Sequence, residues 1–111
     1  MIIMGRPIGN YVFHSGATST GTGNELTINR SDIVNIEFST SNTFTAQFEV
    51  QLESGGAWKA ISAINLATLA NSTTASDATT FYQVPTAGFY KVRVNLTAVG
   101  GAISVYGFAT E

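Results

Sequence analysis

Nucleophilic catalysis by Ser or Cys needs a neighbouring base, and this chain has a single histidine, His14, set between Phe13 and Ser15 in a stretch that reads as an early strand. With no cysteine present, a Cys–His dyad, a disulfide framework and a Cys-based zinc site are all excluded. A lone His in such a strand reads as a structural or interface residue. Glycoside hydrolysis requires two carboxylates facing each other across a cleft. Glu37, Glu49 and Glu53 are the candidates by strand position. Glu49 and Glu53, however, stand on one wet strand face at a separation of about 13 Å, wider than an inverting pair uses. They read as solvated charges. Asp32 and Asp77 stand alone in loops, where Asx turns are their ordinary role. Gly21 and Gly23 precede no strand-to-helix unit, so they read as loop and not as a phosphate cradle. The chemistry-bearing residues therefore predict no catalytic, cofactor-binding or metal-ligating site, and a protein that works by binding and assembling.

The elements that carry these residues follow from period-2 alternation, with no helical period competing. In Phe44–Glu53, Phe44, Ala46, Phe48, Val50 and Leu52 share one face, while Thr45, Gln47, Glu49, Gln51 and Glu53 share the other. Ser54-Gly55-Gly56-Ala57 is a hairpin turn, and Trp58–Ile64 its partner strand. Later, Tyr90, Val92, Val94 and Leu96 face inward and Lys91, Arg93, Asn95 and Thr97 outward; Val99–Ala102 turns the chain back into Ile103–Phe108. Asn10–Ser15, Glu25–Asn29, Ile33–Ser39 and Thr80–Val84 complete about eight short strands. This predicts an all-β chain: a single antiparallel β-sandwich of jelly-roll type. Asn65–Asn71 is read as a helical turn whose Leu66 and Leu69 plug one end. Residues 10–111 are expected to form the sandwich, and residues 1–9 either an N-terminal arm or a first strand.

Charged residues make up 11% of the chain, less than half of the roughly 25% usual for soluble domains. The formal net charge is -2 with five Lys and Arg, which leaves no electrostatic footprint for nucleic acid or an anionic membrane. Thr, Ser and Asn supply the polar surface instead, as in Thr18–Asn24 and Asn71–Thr74. Met1–Ile8 lacks the basic and apolar regions of a targeting segment, and no run approaches the roughly 18 apolar residues of a membrane span.

Binding candidates are of two kinds. Sugar-binding sandwiches stack their ligand on exposed rings, and Tyr11, Trp58, Tyr82, Phe89, Tyr90 and Tyr106 are available, although Trp58 reads as capping the core. If Tyr90 faces inward, Phe89 faces outward beside Lys91 and Arg93, a pairing enriched at interfaces. The apolar Ile2, Ile3, Pro7 and Ile8 could lie along a neighbour as a strand or groove filler. A frayed terminus or a first strand of this domain fits the same residues. The polar loop Ser15–Asn24 is long enough to reach a partner, or is mobile.

The stretch Val84–Gly107, with Gly88-Phe89-Tyr90-Lys91-Val92-Arg93-Val94, a glycine turn and Ile103-Ser104-Val105-Tyr106-Gly107, resembles the end of small β-sandwich virion proteins of tailed bacteriophages. Trp58–Ile61 and the segment to Phe81-Tyr82 are similar to the middle of such proteins, so the resemblance covers the last half of the chain. It implies a capsid decoration (cement) protein or a head- or tail-associated module. Such a protein would be homotrimeric and bound to the major capsid protein or another virion protein, in a particle assembled in the bacterial cytoplasm. The alternative is a carbohydrate- or receptor-binding module of a head or tail fibre.

Val92→Asp or Phe48→Asp is expected to unfold the domain, seen as loss of its β-sheet circular dichroism. An uncompensated buried charge costs at least about 3–5 kcal/mol, a large share of a small domain's stability.

Overall fold

The computed structural model describes residues 7–28 and 32–110, with side chains from Asn10 on. Within it the alternation of apolar and polar residues becomes alternation of burial along Ile33–Ser39, Phe44–Phe48, Lys91–Leu96 and Ile103–Thr110, because each sheet turns one face to the core and the other outward. The strands are β1 (Pro7–Ala17), β2 (Leu26–Thr27), β3 (Ile33–Ser39), β4 (Phe44–Gln51), β5 (Trp58–Ala60), β6 (Ala63–Asn65), β7 (Asn71–Ser72), β8 (Thr74–Ala75), β9 (Phe81–Pro85), β10 (Lys91–Val99) and β11 (Ile103–Thr110). No helix occurs among the described residues. One sheet has the order β1-β11-β3-β9-β6-β7; the other runs β2-β10-β4-β5, with β8 added beside β4. All pairs are antiparallel, and the molecule is a β-sandwich.

The pairing is nested: β1 with β11, β2 with β10, β3 with β9, β4 with β5, alternating between the sheets. The chain is thus a long hairpin rolled into two layers, with β6, β7 and β8 inserted between β5 and β9. That insertion raises the strand number above the expected eight. Trp58–Ile64 is two strands because the chain leaves one sheet after Ala60 and enters the other at Ala63. The turn at Val99–Ala102 does not close a hairpin either. It is an arch between the sheets, held to the β3–β4 arch by Gly100 N–H donating to the Thr43 carbonyl at 2.7 Å and Thr40 Oγ1 to the Ala102 carbonyl at 2.8 Å.

Two leucine assignments change. Leu52 is 69% exposed, since β4 ends at Gln51 and the Gln51 side chain bonds the Gly56 carbonyl across the turn. Leu66 and Leu69 do not plug the sandwich. Asn65 Oδ1 accepts the N–H groups of Ala67 and Thr68, forming a tight turn that projects outward, with Leu69 at φ 63° and 73% exposed.

At the core centre Phe38 and Tyr82 of the first sheet meet Phe44 and Phe48 of the second; Phe38 stacks on Phe44 at 4.8 Å between ring centroids and meets Tyr82 edge-on at 5.6 Å. One β-bulge deepens this core. Val12 pairs with Tyr106 but His14 with Val105, so Phe13 is an extra residue, and both Phe13 and His14 are buried. Phe13 lies over Gly107, where a Cβ would stand 2.5 Å from its ring. His14 reaches the opposite sheet and donates from Nε2 to the Val94 carbonyl at 2.6 Å.

That bond closes the outer edge of β10. β2 pairs only with Lys91 and Val92, and Gly21 exchanges two backbone hydrogen bonds with Leu96 at 3.0 and 2.8 Å. His14 serves the position between them, so the edge is built from three separate pieces of chain. Gly23 (φ 65°) passes close enough to the imidazole that any Cβ would collide with it, and Asn24 N–H donates to the Phe13 carbonyl at 2.9 Å. Of the segment Ser15–Asn24, Ser15–Ala17 therefore belong to β1 and the remaining loop is anchored at Gly21 and Asn24.

His14→Ala is expected to lower stability by about 1–3 kcal/mol, the cost of leaving the Val94 carbonyl without its donor, measured by urea denaturation. Gly23→Ala is expected to destabilise as well, through both its positive φ and the collision with His14.

Candidate binding faces

The bulge sets up an unusual outer face on the six-stranded sheet. Ile103, Val105, Gly107 and Ala109 take the inward positions of β11, and Gly107 does so because Phe13 fills its space, so Tyr106 and Phe108 point out, 41% and 37% exposed. On β9, burial of Tyr82 and Val84 turns Phe81 out, 54% exposed. Strand register then builds two rows across four strands. Val12, Tyr106, Glu37 and Phe81 form one; Asn10, Phe108, Asn35 and Gln83 form the other. Neighbours in a row are about 4.8 Å apart, so Tyr106 and Phe81 are separated by about 9.5 Å. Between the rows lies a shallow depression of about 170 Å³ lined by Asn10, Asn35, Glu37, Phe81, Tyr106 and Phe108. Gln83 Nε2 donates to Asn35 Oδ1 at 3.1 Å.

The outer face of the five-stranded sheet is different in kind. Arg93 Nε donates to Glu49 Oε1 at 2.7 Å, Asn95 Nδ2 donates to Glu49 Oε2 at 3.2 Å, and the Arg93 guanidinium stands 4.0 Å from the centroid of the Trp58 ring. Covered in this way, Glu49 is buried on a sheet's outer surface. Lys91 Nζ pairs with Glu25 Oε1 at 3.1 Å and lies 5.5 Å from the Tyr90 ring centroid. Tyr11 donates its hydroxyl to the Glu25 carbonyl at 2.7 Å; burial, helped by the Glu25 charge, holds that phenol above its ordinary range. The face is flat, neutral in sum, and floored by Thr45, Gln47, Asn95 and Thr97.

Lys91 and Arg93 stand together on this face, but Phe89 does not join them. Its N–H closes a turn onto the Thr86 carbonyl, and its ring is half-buried against the core. There it lines a groove of about 310 Å³ with Val50, Leu52, Glu53 and Lys59. Trp58 does not cap the core: its pairing with Gln51 places it on the outer face, under Arg93. Pro7 and Ile8 belong to β1, with side chains outside the described residues, and Ile2 and Ile3 lie outside them altogether. Of the rings proposed from sequence for sugar stacking, Tyr82 is buried, Tyr11, Trp58, Phe89 and Tyr90 are half-buried, and Tyr106 is exposed. Phe81 and Phe108 were missed; the inward glycine at 107 was the signal that Phe108 had to face out.

The carboxylates are not brought together. Glu37 and Glu49 occupy the outer faces of opposite sheets, and Glu53 stands in the turn after β4. Among the described residues no group of three or more His, Asp or Glu is placed to hold a metal ion.

A family model described as XepA matches residues 8–109. Two solved structures share the fold. The SPBc2 prophage-derived protein YomS is similar at a TM-score of 0.89 and 21% identity, over 100% of both chains. The PBSX exported protein XepA is similar at a TM-score of 0.91 and 18% identity, over 100% of this chain and 40% of its own. No curated protein matches.

Arg93→Ala strands the buried Glu49 carboxylate and is expected to cost about 1–3 kcal/mol. Adding Glu49→Gln is expected to recover part of that loss, a non-additivity measurable in a double-mutant denaturation cycle.

Proposed function

The chain belongs to the XepA family, and from that premise we propose that it is a phage-encoded, virion-associated protein that works by docking and not by catalysis. Capsid decoration as a homotrimer is the specific form of this reading. The observation that supports it most is the outer face of the five-stranded sheet. Among the described residues its charged side chains are paired, Arg93 with Glu49 and Lys91 with Glu25, so a partner can cover them without stranding an ion. Thr45, Gln47 and Thr97 offer neutral hydrogen-bonding groups to that partner. The nested strand pairing supports the jelly-roll type, an architecture that recurs in viral capsid domains. A decoration protein needs only a modest patch per copy, because many copies act together on one shell.

A second reading is favoured by one observation, that a structural relative is described as an exported protein. On that reading the chain acts free of the particle. Density-gradient fractionation of a phage lysate separates the two. Decoration expects the protein to band with particles, a solution mass of three copies by light scattering, and loss of banding when Gln47→Lys and Thr97→Lys place unpaired charges on the docking face. Recovery in the soluble fraction alone overturns it.

A further inference from the structure

We propose that the outer face of the six-stranded sheet is a platform for an uncharged polysaccharide, whose sugar rings stack on Phe81, Tyr106 and Phe108. This inference concerns the sheet opposite the docking face and stands whether or not the protein rides on a particle. Three observations carry it. First, the rings come from two strands with β3 between them and share one outer face; Tyr106 and Phe108 are two residues apart on β11, about 6.8 Å, and Phe81 lies about 9.5 Å from Tyr106 across the sheet. That spread suits consecutive units of an extended chain. The depression between them, about 170 Å³, lies below the range of roughly 300–1,000 Å³ for a pocket that engulfs a small molecule.

Second, every ring has a polar neighbour. Glu37 sits between Tyr106 and Phe81, and Asn10 and Asn35 flank Phe108, with Gln83 beyond. Asn35 and Gln83 bond each other, but a dry protein interface would still bury the Glu37 carboxylate and the Asn10 amide, at a cost of about 1–3 kcal/mol for each group left unpaired. Sugar hydroxyls donate and accept, so they satisfy amide N–H, amide carbonyl and carboxylate alike, while the C–H faces of the sugar lie on the rings. Third, the charge is wrong for an anionic polymer. Glu37 is the one ionised group in the two rows, and the described cations Lys59, Lys91 and Arg93 all stand on strands of the other sheet. Among the described residues, a nucleic acid or an anionic lipid surface would meet a carboxylate there and no compensating base.

The test uses the whole chain in native gels cast with hydroxyethylcellulose or dextran, and calorimetric titration with the neutral tetrasaccharide of β-1,4-linked N-acetylglucosamine. Retardation or heat is expected with at least one probe. Phe81→Ala, Tyr106→Ala and Phe108→Ala are each expected to weaken binding tenfold or more with the β-sheet circular dichroism retained, since none of these side chains is in the core, while Leu52→Ala, far from the rows, binds as the parent does. No interaction with any probe overturns the proposal. Binding that survives all three substitutions overturns it too, placing the sugar elsewhere. Substitutions that change the solution mass also overturn it, by showing that the rings hold copies of the chain together.

Discussion

The structure depends on one irregularity, the bulge that turns Phe13 and His14 inward together. A regular strand would send one of them to solvent. With both inside, Phe13 occupies the volume that Gly107 leaves vacant, and His14 crosses the sandwich to bond the Val94 carbonyl at 2.6 Å. The first contact locks the outermost strand of one sheet over its neighbour. The second joins that strand to the free edge of the other. In a rolled hairpin whose first strand pairs with its last, this is where the roll has to be sealed, and an open edge would present unpaired backbone groups to other chains. β2 is too short to cover β10 alone, so the histidine and the Gly21 bridge complete the edge. The lone histidine, read from sequence as a structural or interface residue, is a structural donor.

The same irregularity explains why the two outer faces differ so much. Because Gly107 yields its inward place to Phe13, the flanking Tyr106 and Phe108 are carried on the outer surface, where they align with Phe81 across β3. On the opposite sheet the few charges available are gathered into pairs, one of them shielded by Trp58. A chain with so little charge has few means of keeping its surface wet. It meets that constraint with hydroxyls and amides on one side and with an aromatic–amide pattern on the other. The two surfaces thus differ in chemistry, paired charges among neutral groups on one and rings among amides on the other. The fold itself does not choose between partners, because sandwiches of this kind serve many roles; the side chains on the two faces do.

Much of the architecture was legible from the chain alone. Alternation over Phe44–Glu53 identified a strand and its inward face up to Val50, though not at Leu52, and Val92, Val94 and Leu96 marked another, because period 2 on a half-buried sheet is a local property. Low charge and the absence of cysteine bound the chemistry by composition alone. What alternation cannot tell is which neighbour a strand takes. The assignment of β10 and β11 to different sheets, the break after Ala60, and the rows running from Val12 to Phe81 all join segments far apart in sequence. Phe89 moved from surface to half-buried, and Trp58 from core to surface, for the same reason. Their faces are set by a turn and by a cross-strand partner, Thr86 and Gln51, and not by their own period. The sequence by itself determined that the chain would layer two sheets around an apolar core with an almost uncharged surface. Only the tertiary structure decided which side chains share a surface, since that depends on strand register, and register follows from long-range packing such as Phe13 on Gly107.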